Sequence, residues 1–203
     1  MNESQYFLPV RLDGGNLSLN FVNTIHDRNE EPLRDYLTNY SDLLAWAHFA
    51  DGINEAQKKL LLQLSKKNHR KAEKIFKESI RLREAIYKYI VHLINQNKAP
   101  PVDTQLINHW LSKAFANLEL TQLDNDIVLD WKPERFGMES VLWPIIRSFA
   151  DLITSDMRNR TKQCPNCAWV FLDNSKNNSR RWCSMETCGN RAKVLRFARK
   201  TRP

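Results

Sequence analysis

The four cysteines constrain this chain more than any other feature. Cys164 and Cys167 stand at C-x2-C, fifteen residues follow, and Cys183 and Cys188 stand at C-x4-C. Two close pairs of thiols separated by a short insert suit tetrahedral Zn²⁺. Two disulfides or four free thiols are the alternatives. Disulfides need an oxidising compartment, and the opening MNESQYFLPVRLDGG lacks the basic stretch and apolar core of a secretory leader. Four protein ligands leave no open position, so the expected zinc, one per chain, is structural. So small a segment has little core of its own, and the metal supplies much of its folding free energy. Cys-Pro-Asn-Cys reads as a tight turn aiming both sulfurs inward, Trp169–Leu172 as a strand, and Asn174–Ser179 as a turn. Ser184 can cap a helix that carries Cys188 in its first turns and runs to about Lys200. Knuckle, hairpin and helix together make a treble-clef-like finger.

The run Cys188-Gly189-Asn190-Arg191, preceded by Ser179-Arg180-Arg181-Trp182-Cys183-Ser184-Met185, resembles the signature of the bacterial CGNR zinc-finger proteins. Those proteins join the finger to an N-terminal helical region, the ABATE domain. Phe21-Val22-Asn23-Thr24, Leu43-Leu44-Ala45-Trp46 and Leu82-Arg83-Glu84-Ala85-Ile86-Tyr87 resemble its recurring segments. One departure is Asn20, where an acidic residue is expected before Phe-Val-Asn-Thr. The resemblance spans nearly the whole chain and implies a stress-related transcription regulator.

Charge is unevenly placed. Residues 158–203 hold twelve Lys and Arg against two Asp and Glu, a net of +10, while residues 1–157 hold nineteen against twenty-one, a net of −2. The basic character therefore belongs to the finger, which points to a polyanionic partner. A basic tail that only aids solubility is the alternative. DNA is favoured over RNA by the resemblance alone. No apolar run approaches the ~18 residues of a membrane span, so the expected location is the cytoplasm.

Periodicity makes the rest mainly α with one β-hairpin. Helices are expected from Leu17 to about Asp27, from Ser41 to Asp51, from an Asn54/Gln57 capping box to about Ser65, and from Asn68 to Asn97. Pro100-Pro101 stops the last of these, and Asp103 can cap a helix to about Phe115. Apolar alternation on both sides of Asp124-Asn125-Asp126 signals a hairpin over Asn117–Trp131. A final helix is expected from Glu139 to about Met157, then a linker from Arg158 to Gln163. This divides the chain into a helical sensor or assembly domain, 1–157, and a finger, 158–203.

Two groups of side chains invite chemistry. Arg83 lies in the apolar face drawn by Ile75, Phe76, Ile80, Leu82, Ile86 and Ile90. A buried guanidinium keeps its charge and needs a carboxylate, carbonyls or a bound anion. Either an internal acid such as Asp27 holds it, or Arg83 anchors a small anionic effector with Asn23 and Thr24 supplying hydrogen bonds. In the finger, Val194, Leu195, Phe197 and Ala198 share one side of the last helix, expected to pack on the hairpin and zinc. Lys193, Arg196, Arg199 and Lys200 share the other and, with Lys176, Arg180 and Arg181 of the preceding loop, are candidate phosphate contacts. Asn190 and Arg191 are expected to brace the finger instead. The five histidines show no H-E-x-x-H spacing, and no G-x-S-x-G or Gly-rich phosphate loop is present, so the chain does not read as an enzyme. The expectation is a zinc-finger DNA-binding regulator, dimeric because one small finger specifies weakly. The rivals are an interaction module docking an acidic partner and a small-molecule enzyme built on the helical domain.

Overall fold

The computed structural model describes residues 10–123 and 126–200, without the side chains of residues 123, 133, 199 and 200. Five helices come first: α1 (Leu17–Val22), α2 (Tyr40–Phe49), α3 (Glu55–Lys67), α4 (His69–Ile94) and α5 (Pro101–Phe115). An antiparallel hairpin follows, β1 (Leu118–Leu123) with β2 (Asp126–Trp131), and then α6 (Trp143–Thr154). The finger contributes β3 (Thr161–Gln163), β4 (Val170–Leu172) and α7 (Asn190–Lys200). No helix among the described residues is long and apolar enough to cross a membrane.

Asparagine starts the first four helices. Asn16, Asn39, Asn54 and Asn68 each accept a hydrogen bond from a first-turn N–H, and Asn54 completes its capping box with Gln57. A short side-chain carbonyl satisfies one of the orphan donors there. Asn39 rather than Ser41 caps α2, so that helix starts earlier than expected. Nor does Asp103 cap α5, because Pro101 takes its first position with its φ already set for a helix.

The core is assembled around α1 and α4. Leu19, Phe21 and Val22 are wholly buried, as are Leu82 and Ile86 of α4 and Ile145, Ile146 and Phe149 of α6. Each such side chain contributes about 1.5–3 kcal/mol of transfer free energy. Trp46 packs on Phe21 with ring centroids 5.4 Å apart, although its buried Nε1 has no hydrogen-bond partner among the described residues.

α1 is shorter than its periodicity suggests. It ends at Val22, and Thr24–Asp27 lie outside the helix, with Ile25 bridged to Asp35. The backbone finds partners in the following loop instead of in a helix: His26 N donates to Arg34 O and Tyr36 N to Thr24 O. A helix continued to Asp27 would put Asn20, Asn23, Thr24 and Asp27 on one face, but they form no solvated stripe. Asn20, Asn23, Thr24 and Asp27 are all buried. Asn20 Oδ1 accepts from Gly14 N at 2.8 Å, an acceptor role that does not require a carboxylate. A Cβ on Gly14 would lie 2.9 Å from Asn20 N, so this close approach excludes any side chain at Gly14.

The finger is bolted into the helical core. The segment expected to be a linker, Arg158–Gln163, ends in β3, which pairs with β4 across the Cys164–Cys167 turn. Val170 and Leu172 of β4 belong to the same apolar cluster as α1, α4 and α6. Asn23 bonds the Val170 backbone in both directions, Nδ2 to O at 2.8 Å and N to Oδ1 at 3.1 Å. Leu172 N donates to Gly14 O, and Trp169 Nε1 donates to Ile25 O at 2.7 Å.

Candidate metal centre and nucleic-acid interface

The Cys164–Cys167 turn is a knuckle closed by two backbone hydrogen bonds, Ala168 N to Cys164 O and Cys164 N to Trp169 O. Ala168 leaves the turn in the left-handed region, at φ 55°. Cys183 follows Trp182, and Cys188 sits in a π-helical turn, Met185–Gly189, that leads into α7. The four sulfurs all lie within 4.8 Å of one another, with Cys167–Cys183 at 3.5 Å and Cys183–Cys188 at 3.6 Å. A Zn–S distance near 2.3 Å makes a tetrahedral edge of about 3.8 Å, whereas a disulfide needs about 2.05 Å. The geometry suits one tetrahedral ion, and all four thiols are free and buried.

The electrostatics agree. Thiols from Cys167 and Cys183 donate to Cys164 and hold it low. Those same hydrogen bonds push Cys167 and Cys183 up, and burial followed by the Cys164 charge pushes Cys188 up. Packed this closely, the thiolates oppose one another's formation. A divalent cation stabilises four together, as Zn²⁺ does in a structural site. The residues that would hold it are Cys164, Cys167, Cys183 and Cys188.

Helical-domain residues grip the knuckle from outside. Arg28 N donates to Cys167 O at 3.0 Å, Asn29 Nδ2 to Asn166 O at 3.0 Å and Tyr87 Oη to Ala168 O at 3.1 Å. From the last ligand's side, Asn166 Nδ2 donates to Cys188 O at 2.6 Å. Arg191 Nη1 reaches Asp27 Oδ2 at 3.1 Å, and Asn190 Nδ2 bonds Glu186 O at 3.0 Å. Both residues brace the structure, Arg191 across to the helical domain and Asn190 within its own turn.

The finger's cations divide into two sets. Lys162 Nζ bonds Asp173 Oδ2 and Asn178 O, each at 2.6 Å, and Arg160 Nε donates to Asp173 O at 2.7 Å. Arg180 is also turned inward, which corrects its expected phosphate role. Its guanidinium bonds the carbonyls of Trp182 and Cys183 and stacks over Phe171 at 4.7 Å. Asp173 is fully buried. Burial disfavours its charge, but Lys162 and the N–H groups of Ser175 and Arg180 outweigh that and hold its carboxyl well below the usual carboxylate range. By contrast, Lys176, Arg181, Lys193 and Arg196 are exposed and have no carboxylate partner among the described residues. Arg181 stacks on Trp182 at 5.2 Å. The side chains of Arg199 and Lys200 lie outside the described residues.

α7 does not lie down on the finger as its wheel suggests. Val194 is 67% exposed and Leu195 52%. Strands of three residues span about 10 Å, while the eleven residues of α7 run about 16 Å. The hairpin is too short to cover the helix, which leaves the metal core after the turn that carries Cys188.

The effector residues expected around Arg83 form a closed network instead. Arg83 is 2% exposed. It makes a fork on Asp35, with Nη1 to Oδ1 at 2.8 Å and Nη2 to Oδ2 at 2.6 Å, and adds Glu84 Oε1 at 2.9 Å and Thr24 Oγ1 at 3.0 Å. Asp35, not Asp27, is the internal acid. Thr24 supports Arg83, whereas Asn23 is committed to β4. Sequence reasoning missed Asp35 because it stands in an aperiodic loop, and missed Arg28, which bonds Glu84 at 2.8 Å and stacks on Tyr87 at 3.7 Å.

A mostly helical body with a four-cysteine centre held in its flank is the architecture of a zinc-finger protein. Residues 15–156 match the ABATE family, described as "Putative stress-induced transcription regulator", and residues 160–201 match the CGNR zinc finger. The chain belongs to the ABATE family and carries its zinc finger at the C-terminal side. Among curated proteins, none matches the chain.

Proposed function

We propose that the chain is a DNA-binding transcription regulator of the cytoplasm. In this reading residues 158–203 contact the phosphate backbone, and residues 1–157 receive a small anionic effector and support assembly into a homodimer. The observation that carries it is a set of outward cations, Lys176, Arg181, Lys193 and Arg196, with no carboxylate partner among the described residues, beside Arg160, Lys162 and Arg180, which are fastened inward. Such groups release counterions from duplex DNA, and four to five contacts give log K against log salt a slope of about −4. Fluorescence anisotropy with random duplex DNA between low and physiological salt measures that slope. Absence of salt-dependent binding by the zinc-loaded chain would overturn the reading.

The exposed apolar row Val194 and Leu195 favours a second reading, a protein partner whose acidic surface meets the cations beside that row. Retention of an acidic protein by the zinc-loaded chain, with no affinity for DNA, would favour it.

A further inference from the structure

A cavity of about 500 Å³ opens where the start of α2, the end of α3 and the start of α4 meet. Its volume is in the range of small-molecule sites, which are apolar inside and carry a few polar groups at the mouth. Leu62, Ala72 and Phe76 supply apolar wall, and Ser41, Lys66 and His69 stand around it, all exposed. Among the described residues neither Lys66 nor His69 has a hydrogen-bond or ion-pair partner. Glu73, the acid in the lining, is already engaged by Lys77 at 2.6 Å, whose hydrogen bond holds its carboxyl low. The mouth therefore presents uncommitted positive charge and no uncommitted carboxylate, in front of an apolar interior.

We infer that this cavity binds a small amphipathic carboxylate, its apolar body against Leu62, Ala72 and Phe76 and its carboxylate beside Lys66 and His69. Hydrophobic burial supplies the affinity, and the cationic rim selects the sign of the headgroup. A neutral molecule of the same shape gains only the first contribution, and a cationic one meets repulsion. The site lies apart from the Arg83 network, whose donors are spent on Asp35, Glu84 and Thr24. Its role as the effector site rests on the regulator reading above, but its occupancy does not, so binding is measured without DNA.

Calorimetric titration of the intact zinc-loaded chain with decanoate tests it, with decyltrimethylammonium as the same tail under a cationic head. Decanoate should bind once per chain, and the cation at least about fivefold more weakly. Lys66→Glu and Ser41→Trp alter exposed positions that no core contact depends on, and circular dichroism checks that both fold. Lys66→Glu should weaken decanoate at least about fivefold by replacing attraction with repulsion. Ser41→Trp should weaken decanoate and decyltrimethylammonium alike by obstructing the mouth. No saturable decanoate binding, equal binding of the cation, or binding unchanged in both variants would each overturn the inference. Loss of DNA binding with decanoate binding intact would instead refute only the regulator reading.

Discussion

If the finger is bolted into the helical core, a change far from any cysteine should loosen the metal. Asn23 provides the cleanest perturbation. It lies 147 residues from Val170 in sequence, is 1% exposed, and satisfies both backbone groups of that buried residue. Asn23→Ala leaves Val170 N–H and C=O without their partner. An unsatisfied buried backbone group costs about 1–3 kcal/mol, so the pair costs about 2–6 kcal/mol. For a chain of this length 1 kcal/mol moves the midpoint by about 2–4 °C, which places the shift at roughly 4–24 °C. The assay is a thermal scan that follows helicity and zinc release together, the latter through a colorimetric chelator. Wild type should lose both in one transition, because Val170 and Leu172 sit in the same cluster as α1 and α6. In Asn23→Ala both should move down together. Zinc release in a separate step, unmoved by Asn23→Ala, would refute the coupling and restore a finger that melts alone.

Other perturbations separate structural from surface roles. Asp35→Asn leaves Arg83 buried with half of its compensation gone and should destabilise by about 3 kcal/mol, read by urea denaturation; an unchanged midpoint would reopen Arg83 as a ligand anchor. Lys193→Ala with Arg196→Ala should make the salt slope of DNA binding shallower by up to ~2 at unchanged zinc content, whereas Arg180→Ala should lower the melting temperature. Glu84 tests pH dependence. Burial opposes its charge, but Arg28 and then Arg83 prevail and lower its pKa. Its stabilising contribution is therefore fully present above the ordinary Glu value of about 4.3 and is lost as pH falls through the lower folded value. The stability gap between wild type and Glu84→Gln should narrow from about pH 4 downward, and a constant gap would contradict the assignment.

The sequence was most legible where one residue type at a fixed spacing does a single job. Four cysteines at two short spacings could specify a metal centre because thiolate chemistry admits few alternatives. The Asn54/Gln57 box and the alternation about Asp124–Asp126 were legible for the same reason: each is a local rule. What escaped were side chains whose partners come from elsewhere in the chain. Asn23 continues a helical pattern, yet its amide is worth more to Val170 than another turn of α1 would be. Asp35 sits between turns with no periodicity to mark it, and only the fold brings it to Arg83. β3 is too short to show alternation and reads as linker until β4 is beside it. The wheel of α7 was drawn correctly, but a wheel says which residues share a side and not whether anything is long enough to cover it.

The same distinction changes how the finger's charge should be understood. A net of +10 suggests a uniformly sticky segment, yet Arg160, Lys162 and Arg180 spend their donors on the carbonyls and carboxylate of 172–183. Those bonds tie the Asp173–Arg181 loop to β3 and to the third zinc ligand. Lys176 and Arg181 therefore project from a loop pinned on both sides rather than from a free coil. Ordering entropy that a flexible basic tail would lose on meeting DNA is here lost during folding. The inward cations are not wasted charge: they fix the loop that carries Lys176 and Arg181, and a bound zinc would hold the Cys183 end of that loop. Removing the metal should for that reason weaken DNA binding even though it leaves every positive charge in place, an outcome that a tail serving only solubility does not produce.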